Sequence, residues 1–175
     1  MRSSAEYLVV AGSLRRSSRS RVLAAHLVSF YESKGVSCHL LDLRETDLPL
    51  CDGERAYSHS AVQACSKLVD AARVIIVAAP IYNFDVSAAV KNLVELTGDA
   101  WEGKIVGFIC AAGGNSSYMA PMSFANSLML DFRCLIVPRF VYATSEDFRE
   151  GRLHSQGVKD RIEQLGESSL AIRNV

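Results

Sequence analysis

The stretch from Val9 to Arg21 reads Val-Val-Ala-Gly-Ser-Leu-Arg-Arg-Ser-Ser-Arg-Ser-Arg and carries the densest set of anion-holding groups in the chain. Apolar residues close a strand, Gly12 turns the backbone, and Ser13, Arg15, Ser18 and Ser20 follow just before a helical pattern begins. The first N–H groups of a helix have no partner inside it, so hydroxyls and guanidinium groups gathered there favour a phosphate. The helix dipole adds roughly 0.3 to 2 kcal/mol, and charge-assisted hydrogen bonds to arginine add more. Binding of a phosphorylated ligand is the chemistry expected. The competing reading is an ordinary capped helix behind a solvated basic turn.

Two further stretches bear on the same ligand. Pro80-Ile81-Tyr82-Asn83-Phe84 follows the most continuous apolar run in the chain, and Gly113-Gly114-Asn115-Ser116-Ser117 follows another. The first offers aromatic surface and the second offers backbone N–H groups. With the phosphate loop they suit a flat, anionic, phosphorylated cofactor, and flavin mononucleotide (FMN) matches all three. Its phosphate is expected on Ser13, Arg15, Ser18 and Ser20. Its ring is expected against Pro80, Tyr82, Asn83 and Phe84, with its pyrimidine end near Gly113, Gly114 and Asn115. Such a cofactor carries the hard chemistry itself, so no protein acid, base or nucleophile is assigned.

These loops need elements to bring them together. Tyr7–Ala11, Val36–Leu43, Arg73–Ala79, Lys104–Ala112 and Cys134–Ala143 read as strands, the third central and the last at an edge because Pro138 cannot donate to a ladder. Helical periods lie between them: Leu23, Leu27, Phe30 and Tyr31, stopped by Gly35; Ala61, Cys65, Leu68, Val69 and Ala72; Val86, Val90, Leu93, Val94 and Thr97; Met122, Ala125, Met129 and Phe132 after Pro121; and Val158, Ile162 and Leu165. The last few residues are expected to fray. Leu50 to Ser60 reads as a long loop. Alternating strands and helices predict one α/β domain over 1–175: a five-stranded parallel sheet, strand order 2-1-3-4-5, helices on both faces. In such sheets ligands bind beyond the carboxyl ends of the strands, where the three loops converge.

Composition narrows the classes. The chain of 175 residues has 19 basic and 19 acidic side chains, and the one dense basic cluster is the short loop from Arg15 to Arg21, too small for a polynucleotide track. No nucleic-acid partner is expected. Five cysteines, odd in number and without a C-x-x-C pair, fit a reducing compartment. Cys65 and Cys110 read as core, and Cys51 is the one to test for exposure. His26, His39, His59 and His154 share no metal-ligand spacing. Met1 to Glu6 holds no apolar leader, and no apolar run approaches membrane-spanning length, so a cytoplasmic protein without a membrane partner is expected. The G-x-G-x-x-G of a dinucleotide-binding Rossmann domain is absent after the first strand, as is a cysteine nucleophile for phosphate-ester hydrolysis.

Gly12-Ser13-Leu14-Arg15 with Ser18-Arg19-Ser20, Ala79-Pro80-Ile81-Tyr82-Asn83, Lys91-Asn92 and Gly113-Gly114 together make the chain resemble the NADPH-dependent FMN reductases of the flavodoxin-like fold, a family that includes flavin, quinone, azo-dye and chromate reductases. The resemblance implies an oxidoreductase that takes a hydride from NADPH or NADH onto the flavin N5 and passes electrons to a small-molecule acceptor. It also implies a homodimer or homotetramer. Ser20 stands where many members have asparagine, and Asn115 where many have a third glycine. The competing class is a flavodoxin-like electron carrier. Such carriers are usually strongly acidic, which this chain is not. Lys91 and Asn92 read as helix-supporting residues, and Trp101 and Tyr118 as core or interface packing.

Overall fold

The structure, a computed structural model, describes residues 6–173. The expectations about a leader at Met1 to Ala5 and about fraying at Asn174 and Val175 lie outside the described residues.

β-Branched and aliphatic residues with little room for water on either face make the central strands. β1 (Tyr7–Ala11), β3 (Val74–Tyr82) and β5 (Ile105–Ala111) are buried along nearly their whole length. That is the pattern of a parallel sheet covered on both sides. β2 (Cys38–Asp42) lies beside β1, and the order runs β2-β1-β3-β5, with β6 (Leu135–Ile136) and β7 (Val141–Ala143) successively along the free side of β5. This is the expected 2-1-3-4-5 order. The fifth strand is split at Pro138: Ile136 pairs with Val106 and Val141 with Ile109, so the edge chain makes a five-residue advance where β5 makes three. The bulge gives the proline a place outside the ladder.

Successive side chains along each strand point to opposite faces, which builds two apolar layers. On one face Val9, Ile76, Ile105 and Ile109 pack under α1 (Arg19–Ser33) and α5 (Gln156–Ala171) through Leu23, Leu27, Tyr31, Ile162 and Leu165. On the other, Val10, Ile75, Val77 and Phe108 pack under α2 (Ser60–Ala71), α3 (Ala88–Thr97) and α4 (Pro121–Phe132) through Cys65, Leu93, Phe124 and Leu128. Trp101 is wholly buried and donates to Thr97 Oγ1 at 2.8 Å, which settles it as core. Met122 and Met129, expected on the inner face of α4, are exposed; Ala125 is buried as expected, and Pro121, Phe124 and Leu128 complete that face.

Two short hairpins were not expected. β4 (Asp85–Val86) folds back on the end of β3, with Tyr82 opposite Asp85, so Asn83 and Phe84 form a two-residue turn and both take positive φ, 50° and 66°. Val86 therefore belongs to this hairpin, not to α3. Beyond β7, β8 (Phe148–Arg149) pairs with β9 (Arg152–Leu153) through a Glu150-Gly151 turn.

β3 also outruns its expected end at Ala79. Pro80 lies in the strand, opposite Ala111. Ala78 accepts the Gly12 N–H and so turns its polar groups toward β1. Two residues on, Pro80 faces the same way. The last β1–β3 pair is Ala11 with Ala78, so the missing proline N–H faces a side the β1 chain has already left.

Candidate active site

Beyond the carboxyl ends of β1, β3 and β5 lies a cavity of about 810 Å³, within the size range of small-molecule sites. Ser13, Arg15, Ser18 and Ser20 line it from the first loop, Pro80 and Tyr82 from the end of β3, and Gly113 from the loop after β5. The three sequence-distant turns do meet. Asn83, Phe84, Gly114 and Asn115 sit on the same loops but do not line the cavity.

The first loop is preformed. Ser18 is the N-cap of α1: its Oγ accepts the Arg21 N–H at 3.1 Å and shares a 3.0 Å hydrogen bond with Ser20 Oγ. Ser13, Ser18 and Ser20 are all buried, whereas the Arg15 side chain is exposed and donates through Nε to Ser17 Oγ at 3.1 Å. The earlier N–H groups of α1 are left without an intrahelical acceptor, beside hydroxyls and a guanidinium. This is an anion cradle. The loop is tied across to the third strand's turn, because the buried Ser87 donates its hydroxyl to the Gly12 carbonyl at 2.7 Å. Gly12 is needed for close approach: a Cβ there would lie 2.2 Å from Val90 Cγ2.

Tyr82 is 53% exposed and Phe84 55%, so neither packs into the sheet edge. The Tyr82 ring lines the cavity from the β3–β4 hairpin, and Phe84 follows it in the turn. Asn83 serves the turn with its left-handed backbone, a conformation asparagine tolerates. Gly113 and Gly114 have no atom of the chain within 4 Å of where a Cβ would stand. Their bare backbone is therefore not required by the protein's own packing, and beside a cavity it leaves room for a flat ring. The groups present fit FMN: an anion cradle at one end, aromatic surface in the middle and free backbone at the other.

A family model for NADPH-dependent FMN reductases matches residues 6–148. The chain belongs to that family. Among curated relatives, this reductase is 29% identical over 74% of its length to an NAD(P)H-dependent FAD/FMN reductase of Geobacillus thermodenitrificans, covering 72% of that protein. It is 26% identical over 83% of its length to an NADPH azoreductase of a Bacillus species, covering 80% of it. Among solved structures, the NAD(P)H:acceptor oxidoreductase FerB from Paracoccus denitrificans superposes with a TM-score of 0.73 at 18% identity, over 95% of this chain and 97% of that one, a likeness of fold. The flavodoxin-like architecture, the FMN and NAD(P)H cofactors and the oxidoreductase class all follow from membership.

The cavity is also lined from the second hairpin, which the sequence reading did not single out. Phe148, Glu150 and Gly151 wall the cavity from the second hairpin, and Arg19 stacks on the Phe148 ring at 5.7 Å from its centroid. Arg21 lines the same wall and pairs through Nε with Asp42, a buried carboxylate at the end of β2, at 2.9 Å. The signals for these were weak: a single Glu-Gly turn, and an aspartate whose partner lies a strand and a helix away. Asn92 is a supporting residue, as expected. Its side chain accepts the Cys51 N–H at 2.8 Å and donates to the Pro49 carbonyl at 2.9 Å, clamping the long loop, while Lys91 pairs with Glu95 on the surface. Among the described residues no cluster of His, Cys, Asp or Glu could hold a metal ion, and no helix is long and apolar enough to cross a membrane.

Proposed function

We propose that this reductase holds FMN in the three-loop cavity and uses it to oxidise NADPH or NADH in favour of a small acceptor: free flavin, a quinone, an azo dye or a metal oxyanion. The observation that carries this is the convergence of the phosphate loop, the Pro80–Phe84 turn and the Gly113-Gly114 loop on one cavity. Bound FMN supplies the chemistry, accepting a hydride from the nicotinamide and passing two electrons on. The chain's own part is to bind and orient. Ser13, Ser18, Ser20 and Arg15 grip the phosphate, and Pro80 and Tyr82 support the ring. Gly113, Gly114 and Asn115 lie at its pyrimidine end, and Asn83 and Phe84 shape the rim over which nicotinamide and acceptor enter in turn.

An exposed apolar surface supports the homo-oligomer. Tyr118, Met119 and Met122 at the start of α4 are exposed, as are Tyr82 and Phe84. Ser123 Oγ donates to Asp85 Oδ1 at 3.2 Å, so the two groups adjoin. A second copy on this surface would cover the rings and wall the flavin site, in a protein that works in the cytoplasm.

The reading is tested by titrating FMN against its own fluorescence and then following NADPH and NADH absorbance with flavin, quinone and azo-dye acceptors. Saturable binding at micromolar FMN with acceptor-dependent turnover is expected. No saturable binding ends the reading, and binding without nicotinamide oxidation leaves the electron-carrier alternative. Sedimentation across a concentration range tests the oligomer.

A further inference from the structure

The loop after β5 is gripped by two hydroxyls, one on β7 and one just beyond it. Ser145 Oγ donates to the Gly113 carbonyl at 2.9 Å, and Tyr142 Oη donates to the Gly114 carbonyl at 2.8 Å. Just before them the Ala112 N–H reaches the Ala143 carbonyl at 2.9 Å. In a planar trans peptide the carbonyl of one residue and the N–H of the next point in opposite directions. Turning the Gly113 carbonyl toward Ser145 therefore turns the Gly114 N–H away from it, and turning the Gly114 carbonyl toward Tyr142 does the same to the Asn115 N–H. β7 lies on one side of β5 and β3 on the other, so the Gly114 N–H faces away from the β7 side, beside the cavity that Gly113 lines, and the Asn115 N–H follows one peptide further along the same loop, turned away from Tyr142. Neither has an acceptor among the described residues. No side chain of the protein occupies the space beside Gly113 or Gly114.

Both donors are themselves well fixed. Tyr142 is buried, and its ring meets Tyr118 edge-on at 5.4 Å between centroids. Burial pushes its phenol above the ordinary value, so the hydroxyl keeps its proton at neutral pH. Ser145 opens a short helical turn whose N-cap, Thr144, accepts and donates in a reciprocal capping box with Asp147, so this support does not swing freely.

The geometry points to Tyr142 and Ser145 as positioning residues that aim the Gly114 and Asn115 N–H groups at the pyrimidine edge of bound FMN and thereby set how much more tightly the reduced flavin is held than the oxidised. The inference rests on the FMN reading above. Reduction places negative charge on that edge, and donors fixed before the charge develops favour the reduced form most. Without the hydroxyls the two peptides are free to rotate, and the N–H groups lose their aim in the state where aim matters.

The test uses Tyr142→Phe, Ser145→Ala and the double variant. FMN affinity is measured by fluorescence quenching, and the midpoint potential of bound FMN by anaerobic titration against reference dyes. Each lost hydrogen bond is expected to weaken binding of reduced FMN about threefold to tenfold. Binding of oxidised FMN should change less than about threefold on the same scale. A tenfold selective loss lowers the two-electron potential by about 30 mV. An unmoved potential, or equal weakening of both oxidation states, overturns the inference and shows the two residues to be structural only. If the wild-type chain binds no FMN, the reading and the inference fall together, whereas wild-type binding with unmoved potentials in the variants removes only the inference. Should Tyr142→Phe fail to fold, Ser145→Ala at the half-buried end decides alone.

Discussion

Replacing Gly12 with alanine should strain the site's foundation by an amount the structure sets. The new Cβ would lie 2.2 Å from Val90 Cγ2 and 3.3 Å from the Ala78 carbonyl oxygen. The Gly12 backbone has little freedom to retreat, because its N–H donates to Ala78 at 2.9 Å and its carbonyl accepts from Ser87 at 2.7 Å. Val90 is buried on the first turn of α3, so relief requires moving that helix or breaking one of the two hydrogen bonds. Overpacking of this kind costs about 1 to 3 kcal/mol, and for a chain of this size each kcal/mol lowers Tm by roughly 2 to 4 °C. Val90→Ala alone removes two buried methyl groups and costs about 1.6 kcal/mol before any cavity term. In the double variant the added methyl of Gly12→Ala takes up about half of the space that the valine vacates, and its clash with Val90 Cγ2 is gone. The double variant should therefore be more stable than the sum of the singles by about 1 to 3 kcal/mol. Urea unfolding of all four proteins, read as midpoints at constant slope, measures this coupling. Costs that add to within about 0.5 kcal/mol would refute the argument and place the strain against Ala78 instead.

Arg15→Ala should weaken FMN by about five- to thirtyfold, the range of one charge-assisted hydrogen bond at a solvent-facing site, and leave riboflavin nearly untouched. Equal loss for both ligands in a fluorescence titration would put the phosphate elsewhere. Stability should hold to about pH 9 and fall above it. Burial pushes the Cys38 and Cys110 thiols up to about 12, the Cys134 thiol up to about 11 and the Tyr31 phenol higher still, so the folded state holds protons that the unfolded chain releases from about 9 to 10. For a wholly buried group such as Cys110 the loss is about 1.4 kcal/mol per pH unit across that window. A Tm that stays level to pH 11 would contradict it. Cys51, half-buried and donating to the Tyr57 hydroxyl at 3.6 Å, should take up a maleimide first among the five cysteines, while Cys65, Cys110 and Cys134 stay unlabelled until unfolding. Peptide mapping at short labelling times checks the order.

What could be read from the sequence was what neighbouring residues decide. The first wall of the cavity was legible because Ser13, Arg15, Ser18 and Ser20 lie within one strand-to-helix passage. The sheet was legible because continuous apolar runs have few other uses. The run of β3 through Pro80 was not, since it depends on where β1 stops rather than on proline itself. Pro80–Phe84 was legible as a turn, but the return strand β4 was not, because Asn83-Phe84 lacks the glycine that marks a two-residue hairpin. α4 carries apolar residues around most of its circumference, and a 3.6-residue period alone does not choose between the Met122–Met129 side and the Phe124–Leu128 side. The second hairpin is local, but its signal was a single Glu-Gly turn between two-residue strands, and the Arg21–Asp42 pair is a tertiary fact made by a helix and a strand end.

The turn at Phe84 carries a further consequence. A bulky residue with φ of 66° is held against its own backbone preference at roughly 1 kcal/mol or more, and glycine would relax it. Phe84→Gly should therefore give a more heat-resistant protein, read as a raised Tm. In that sense the hairpin gives up local stability to keep an aromatic ring exposed at the tip of its turn.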